Sequence, residues 1–330
     1  MNIHETFMLR CIELAKKGAG NVSPNPMVGC VIVNSKGQII GKGFHEKFGG
    51  PHAEVNAIQS VSDKQELITS TLYVNLEPCA HVGKTPPCAN LIIASKIPRV
   101  VIANKDPHKL VSGKGIELLQ QSGIEVISGI LEDEAWELNK RFFTFHEKKR
   151  PYIILKWAVS GDGLISKNNE RTAISHQQTN VLVHQWRSEE QGIVIGKNTA
   201  ITDNPQLNVR HVKGRNPIRF IFSSDGQLPE NLILLNDGNP THVISDTSDA
   251  IQSLLNYCNH HHIISVMVEG GTYTLQKFID SDYWDEARII RNNELFLETG
   301  TKQPVLKNSI KTGEVQLDRD IIEYFKNNNV

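Results

Sequence analysis

His52-Ala53-Glu54, Pro78-Cys79 and Pro87-Cys88 are three separate stretches of chain, and they can act together only in a fold that brings them to one point. One imidazole and two thiolates fill three corners of a tetrahedral zinc and leave the fourth for a water. His52 and Cys88 each stand where a helix is expected to begin. The positive end of a helix dipole favours the thiolate that a zinc ligand must be. Proline before Cys88 suits a first helical turn, where its missing N–H is not needed. Two helix ends are therefore expected to converge on one ion.

Glu54, two residues from the histidine, gives that site a chemistry. Zinc can lower the pKa of its water to about 7. Glu54 can take the proton and return it to a ring nitrogen and a leaving amine. This is the H-x-E…P-C…C pattern of zinc-dependent deaminases acting on amino-substituted bases. A closed structural zinc would want a fourth Cys or His; His81 is the one candidate in the loop, and beside Cys79 it would crowd the ion. Eight residues separate Cys79 from Cys88, where base deaminases often have two. The insert carries His81 and Lys84. A cationic loop beside the zinc suggests an anionic substituent on the substrate, plausibly phosphate.

Strands are expected near residues 28–33, 38–44, 71–76, 99–103 and 124–127, and helices near 4–17, 52, 88–95, 115–121 and 131–143. Strands alternating with helices point to a three-layer α/β domain over residues 1–146. The charged, proline-terminated run Glu147-Lys148-Lys149-Arg150-Pro151 is the candidate linker. Residues 151–330 restart the alternation, with strands near 152–159, 192–195, 218–222, 242–245, 263–268 and 286–291. Helices are expected near 176–189, 248–257 and 272–280. No Gly-x-Gly-x-x-Gly follows a strand, so a Rossmann fingerprint is absent. The paired Gly270-Gly271 after an apolar strand allow close backbone approach before a helix. Gly196-Lys197-Asn198-Thr199 reads as loop, Asp162-Gly163 as a hairpin turn, and His260-His261-His262 as a solvated loop rather than a second metal site.

The chain has 330 residues and a formal net charge of −1, so no overall basic field points to nucleic acid. Its apolar runs are strand-sized, which argues against a membrane span. Five cysteines are an odd, sparse set for a disulfide framework, and the first residues lack the pattern of a signal peptide; a cytoplasmic protein is expected.

Pro24-Asn25-Pro26-x-Val28-Gly29, Gly43-Phe44-His45, Pro51-His52-Ala53-Glu54 and the segment from Leu76-Glu77-Pro78-Cys79 to Pro87-Cys88 resemble the deaminase half of the bifunctional riboflavin-biosynthesis deaminase–reductases. Lys156-x4-Gly161-Asp162-Gly163, Gly196-x-Asn198-Thr199-x3-Asp203-Asn204-Pro205-x-Leu207-x2-Arg210 and Val268-Glu269-Gly270-Gly271 resemble the reductase half. The resemblance implies an α/β chain with a cytidine-deaminase-like N-terminal domain and a dihydrofolate-reductase-like C-terminal domain. It implies zinc on His52, Cys79 and Cys88, with Glu54 catalytic. Asn25, His45, His81, Lys84 and Asp106 would line the deaminase substrate pocket. Ala158, Thr199, Asp203 and Gly271 would bind NADPH. Lys156, Arg187, Leu207, Arg210 and Glu269 would meet the reductase substrate, with Arg187 and Arg210 as forks for its phosphate. The implied substrate is a 2,5-diamino-6-ribosylamino-pyrimidinone 5′-phosphate, deaminated and then reduced on its ribose, and a homo-oligomer is expected. Three departures stand out, the first being Asp106-Pro107-His108-Lys109, where the family often has Asp-Pro-Asn-Pro. Glu170-Arg171-Thr172-Ala173 replaces a stretch that often holds a Ser and a Trp, and Arg291-Asn292-Asn293-Glu294 replaces a proline-lysine-leucine-glycine segment.

Two other readings start from the same residues. One keeps the deaminase alone, on a nucleotide or tRNA base, with a non-catalytic C-terminal binding domain. The other makes the zinc structural and the chain a metabolite-binding or regulatory protein, which leaves Glu54 without a purpose.

Overall fold

The structure, a computed structural model, describes residues 2–80, 87–108, 112–167, 170–245 and 249–329. The chain divides into two compact units, Met1–Lys149 and Arg150–Val330.

The first unit runs α1 (Ile3–Ala15), β1 (Gly29–Val33), β2 (Ile39–Phe44), α2 (Ala53–Ser60), β3 (Thr71–Leu76), α3 (Cys88–Ala94), β4 (Arg99–Asn104), α4 (Lys114–Gln121), β5 (Glu125–Ser128) and α5 (Glu132–Lys148). Its five strands are ordered β2-β1-β3-β4-β5, with β3, β4 and β5 parallel. Strand side chains alternate between faces. Cys30, Ile32, Leu72 and Val74 therefore pack against α2, α3 and α4, through residues such as Ala57, Ile92 and Leu119. Val31, Val33, Tyr73 and Val101 pack against α1 and α5, through Met8, Cys11 and Ala135. Three layers result, as expected. Gly29 is required where α1 crosses the sheet, because a Cβ there would stand 2.0 Å from the Cys11 carbonyl oxygen.

The helix that carries His52 and Glu54 is short, at eight residues. Its last turn is held by Lys64, whose Nζ donates to the carbonyls of Ile58, Gln59 and Val61 at 2.5–3.1 Å. A cation on the terminal carbonyls suits the negative end of the dipole. Lys64→Met is expected to destabilise this unit by about 1 kcal/mol, seen as a Tm lower by about 3 °C in a calorimetric scan.

The second unit runs β6 (Tyr152–Ser160), β7 (Leu164–Ser166), α6 (Gln177–Glu189), β8 (Gly192–Gly196), α7 (Lys197–Asp203), β9 (Ile218–Phe222), α8 (Ile233–Asn236), β10 (Thr241–Ile244), α9 (Ala250–His260), β11 (Ser265–Val268), α10 (Thr272–Asp280), β12 (Glu286–Asn292), β13 (Thr301–Lys302), β14 (Ser309–Leu317) and β15 (Asp320–Asn327). Eight strands form one sheet, ordered β10-β9-β8-β11-β6-β12-β15-β14. The strands from β10 to β12 pair in parallel, and the β14–β15 hairpin adds to β12 antiparallel. Helices α9 and α10 cover one face, with Leu254, Leu275 and Phe278 against Leu155, Val266 and Val268. The other face carries α6 through Val183 and Trp186, and α7 and α8 through Ala200 and Leu234.

The division between the units falls within the run 147–151, after Lys149, and two other expectations need correction. In that run α5 extends to Lys148, and Arg150 is buried, with its guanidinium bidentate on Asp285 at 2.6 and 2.8 Å. A charged run looks solvated until one of its members finds a buried partner 135 positions away. Gly196-Lys197-Asn198-Thr199 opens α7 instead of forming a loop, with Gly196 as its N-cap. The strand expected from residue 263 begins at Ser265, since Ile263 and Ile264 are buried ahead of it. Asp162 does serve the turn: it accepts from the Ser160 hydroxyl and the N–H groups of Leu297 and Glu298. His260, His261 and His262 are exposed at the end of α9. Among the described residues, no helix is long and apolar enough to cross a membrane.

Candidate zinc centre and reductase cavity

His52 is the N-cap of α2, and Glu54 lies in that helix's first turn, buried. Cys79 follows β3, and Cys88 is the first residue of α3, with Pro87 as N-cap. The two helix starts meet. His52 Nδ1 lies 3.2 Å from Cys88 Sγ and 3.6 Å from Cys79 Sγ, and the three donor atoms fall within 4.8 Å of one another. Zn–S of about 2.3 Å and Zn–N of about 2.1 Å imply tetrahedral edges of about 3.6–3.8 Å. The two His52–sulfur edges fit zinc with adjustments of a few tenths of an ångström. No other such group of His, Cys, Asp and Glu occurs among the described residues.

The electrostatics agree with that use. The Cys88 N–H at the start of α3 donates to Cys79 Sγ at 3.3 Å. Hydrogen bonding from the Cys88 thiol, above all, and from His52 brings Cys79 down to about 4 against the cost of burial. Cys88, holding the proton the two sulfurs share, is pushed up by that same bond and by burial. Cys79 carries the thiolate, and metal binding releases the remaining proton. The hydrogen bond with Cys79 raises His52, with burial opposing. Burial lifts Glu54 to about 7; His52 pulls the other way and the Cys79 charge adds to the rise. A carboxyl near 7 can both accept and return a proton.

Around this centre the structure gathers Asn25, His45 and Asp106. Asn25 Nδ2 is 3.3 Å from His45 Nε2, and His45 Nδ1 is 3.0 Å from the Pro51 carbonyl. The His45 and His52 rings stand edge to face, 5.6 Å apart. Burial lowers His45. Burial, then opposed by the His108 N–H and aided by Glu77 and Cys79, raises Asp106 to about 6. His81 and Lys84 lie outside the described residues.

One residue in the quoted motif had been given no role. Glu77, buried at the end of β3, accepts the backbone N–H groups of Asp106, Gly113, Gly115 and Ile116 at 2.8–3.3 Å. It ties the segment bearing Asp106 to the segment bearing Cys79. An acidic residue ending an apolar strand was its only signal.

In the second unit, a cavity of about 830 Å³ is lined by Lys156, Ala158, Arg187, Thr199, Asp203, Leu207, Arg210, Glu269 and Gly271 among others. Every reductase residue expected from the sequence reaches this one cavity. Two helix starts open on it, those of α7 and α10, and the Thr199 hydroxyl accepts the Gly271 N–H at 3.1 Å. Gly196 and Gly270 are needed for Thr274, which a Cβ at either would meet within 2.7 Å. That size, with amide-rich helix starts and cationic side chains, suits a phosphorylated dinucleotide beside a small substrate. Lys156 is no surface residue: its Nζ is 3.4 Å from Glu269. Arg187 sets its Nε and one terminal nitrogen on the Glu269 carboxylate at 2.7 and 2.8 Å, which leaves its other edge for a ligand. Burial opposes ionisation of Glu269, but Arg187 and Lys156 outweigh it and hold the carboxylate at about 2. His184, missed in the sequence, is lowered to about 4 by burial and by Arg187 and Arg210, and its Nδ1 accepts the Arg210 N–H at 3.2 Å.

Comparison with known proteins gives the same two-part picture. Residues 1–104 match the cytidine and deoxycytidylate deaminase zinc-binding region, and residues 151–295 the RibD C-terminal domain. The riboflavin biosynthesis protein RibD of Aquifex aeolicus is 39% identical over 305 residues, covering 86% of this chain and 85% of that one. RibD of Bacillus amyloliquefaciens is 37% identical over 310 residues, covering 86% and 83%. The crystal structure of a diaminohydroxyphosphoribosylaminopyrimidine deaminase/5-amino-6-(5-phosphoribosylamino)uracil reductase from Thermotoga maritima superposes with a TM-score of 0.90 at 36% identity, covering 98% and 99%. Acinetobacter baumannii RibD gives 0.89 at 32%, covering 98% of each chain. With a zinc-binding deaminase unit followed by an NADPH-dependent reductase unit, this chain belongs to the RibD family of bifunctional riboflavin-biosynthesis enzymes.

Proposed function

We propose that the chain deaminates a 2,5-diamino-6-ribosylamino-pyrimidinone 5′-phosphate and then reduces the ribosyl group of the product to ribityl. The observation that carries the first step is Glu54, buried within two residues of a histidine that meets two sulfurs in tetrahedral reach. His52, Cys79 and Cys88 would hold the zinc, which when bound supplies a Lewis acid that makes water nucleophilic near neutral pH. Glu54 takes the proton from the attacking water and delivers it to the ring nitrogen. It then takes the second proton from the added hydroxyl and gives it to the amine, so that the C–N bond breaks, ammonia leaves and a carbonyl remains. Asn25, His45 and Asp106 orient the pyrimidine, and His81 and Lys84 belong to the same pocket in this reading.

In the second unit, NADPH when bound would supply a hydride to C1 of the ribosyl unit as the bond from C1 to the ring oxygen breaks and that oxygen takes a proton from water. Ala158, Thr199, Asp203 and Gly271 hold the cofactor. Lys156, Arg187, Leu207, Arg210 and Glu269 face the substrate, with Arg210 and the free edge of Arg187 on its phosphate. The same reading makes the protein a cytoplasmic homo-oligomer with neither nucleic-acid nor membrane partners.

The test is incubation of the zinc-loaded chain with the diaminopyrimidine ribotide. Ammonia release without NADPH is expected, with NADPH oxidation only after deamination. Ammonia release with no subsequent NADPH oxidation would leave the C-terminal unit a binding domain. Prior chelation of zinc is expected to stop ammonia release while sparing reduction of the deaminated ribotide added directly.

A further inference from the structure

Asn139 lies beyond the residues matched to the deaminase zinc-binding region, in the middle of α5, a helix that carries none of the site residues. It is buried, and its backbone leaves the helical range (φ −110°, ψ 19°) while its neighbours keep it. Two helical stretches of α5 meet at this kink, where asparagine, whose amide competes for backbone groups, costs less than it would inside a helix. Here the amide is spent on the backbone of one distant residue. Asn139 Oδ1 accepts the Met27 N–H at 2.8 Å, and Asn139 Nδ2 donates to the Met27 carbonyl at 2.9 Å. The two bonds fix which end of the amide is which. From the sheet side, buried Asn75 on β3 donates to the same carbonyl at 3.0 Å and accepts the Gly29 N–H at 2.7 Å.

Met27 is joined directly to the deaminase pocket. Two residues before it, Asn25 reaches His45 Nε2 at 3.3 Å. One residue after it, the Val28 carbonyl accepts the His45 N–H at 2.8 Å. The His45 ring then stands against His52. The Met27 N–H and carbonyl and the Gly29 N–H are thus held by carboxamides of α5 and β3. We propose that Asn139 is a positioning residue for the deaminase pocket: by clasping the Met27 backbone on both sides of its Cα it fixes the Asn25 side chain and the His45 ring where the pyrimidine binds. The inference rests on the deaminase reading above.

Asn139→Leu keeps the volume and deletes both bonds, and Asn139→Asp keeps the acceptor for the Met27 N–H and loses the donor. Each is assayed for ammonia release, for zinc content and, in the same preparation, for reduction of the deaminated ribotide. Displacement of a binding group by ~1 Å can cost ~10²-fold, and Asn139→Leu is expected to raise KM for deamination about tenfold or more. The change in kcat should be the smaller one, with one zinc per chain and unchanged reductase kinetics. Asn139→Asp should fall between Leu and wild type. A purely structural role would instead lower zinc content, or kcat with no change in KM, and that result overturns the proposal. So does a wild-type KM in Asn139→Leu. A wild-type chain that releases no ammonia overturns the deaminase reading and the positioning role together, whereas normal wild-type release with an unaltered Asn139→Leu overturns the positioning role alone.

Discussion

Glu54→Gln is expected to slow ammonia release by roughly 10²–10⁴-fold, the range for losing a positioned general acid/base. The substitution keeps the side-chain volume in a site where the carboxyl is 3% exposed, so packing of α2 is preserved. It removes the group that burial brings to about 7 and that can take a proton and give it back. Glu54 is not one of the three donors, so zinc content should stay at one per chain, as read by elemental analysis. Reduction of the deaminated ribotide should continue unchanged, which makes the second unit an internal control on folding. A variant that deaminates at the wild-type rate would show that another group moves the proton. A variant that loses zinc would show that the carboxyl supports the metal site itself.

The zinc trio and Glu54 were legible because each requirement is local: a ligand at a helix start, a proline before it, an acid two positions on. The three-layer arrangement was legible for a similar reason, since runs such as Gly29–Val33 and Thr71–Leu76 are buried along nearly their whole length. What stayed hidden depends on partners far away in the chain. Asn75 and Asn139 meet at Met27 across 48 and 112 positions, and an amide that binds backbone leaves no spacing pattern. Glu77 binds four N–H groups of a segment some 30 residues on, again through backbone. Arg150 reads only as part of a charged linker run because its partner Asp285 is 135 positions distant. The β14–β15 hairpin was silent for another reason: β14 is the sheet edge, largely exposed, so its residues lack an apolar alternation. The residues expected in the second unit came from motif resemblance, and they line one cavity. Cations around a cavity must be paired or solvated, so Lys156, Arg187 and Glu269 sit at fixed points relative to their strands and helix.

That pairing makes Glu269 a position in the second unit where a one-atom change should matter for both stability and turnover. Its carboxylate is the shared partner of Arg187 and Lys156, and all three side chains are at most 13% exposed. Breaking a buried pair by removing one member costs about 3–5 kcal/mol, because the remaining charges are left uncompensated. The cavity gives Arg187 and Lys156 some access to water, so about 3 kcal/mol is expected for Glu269→Gln. In a unit of this size that corresponds to a Tm lower by roughly 6–12 °C. Lys156, at 3.4 Å, contributes less than the bidentate Arg187 at 2.7 and 2.8 Å. The sign of the pH dependence follows from the depressed carboxyl. Its contribution is complete above the ordinary value of 4.5 and disappears as pH falls toward about 2. Roughly 1 kcal/mol of it should be lost by pH 4 and roughly 2 by pH 3. The Tm gap between wild type and Glu269→Gln should therefore be constant from pH 8 to 6 and narrow below pH 5. Reductase turnover should fall at least about tenfold, since Arg187 loses the partner that aims its free edge into the cavity, while ammonia release stays at the wild-type rate. A gap that does not narrow on acidification would mean that Glu269 is not the charge that holds Arg187. A variant that keeps full reductase turnover would place the phosphate on Arg210 without help from Arg187.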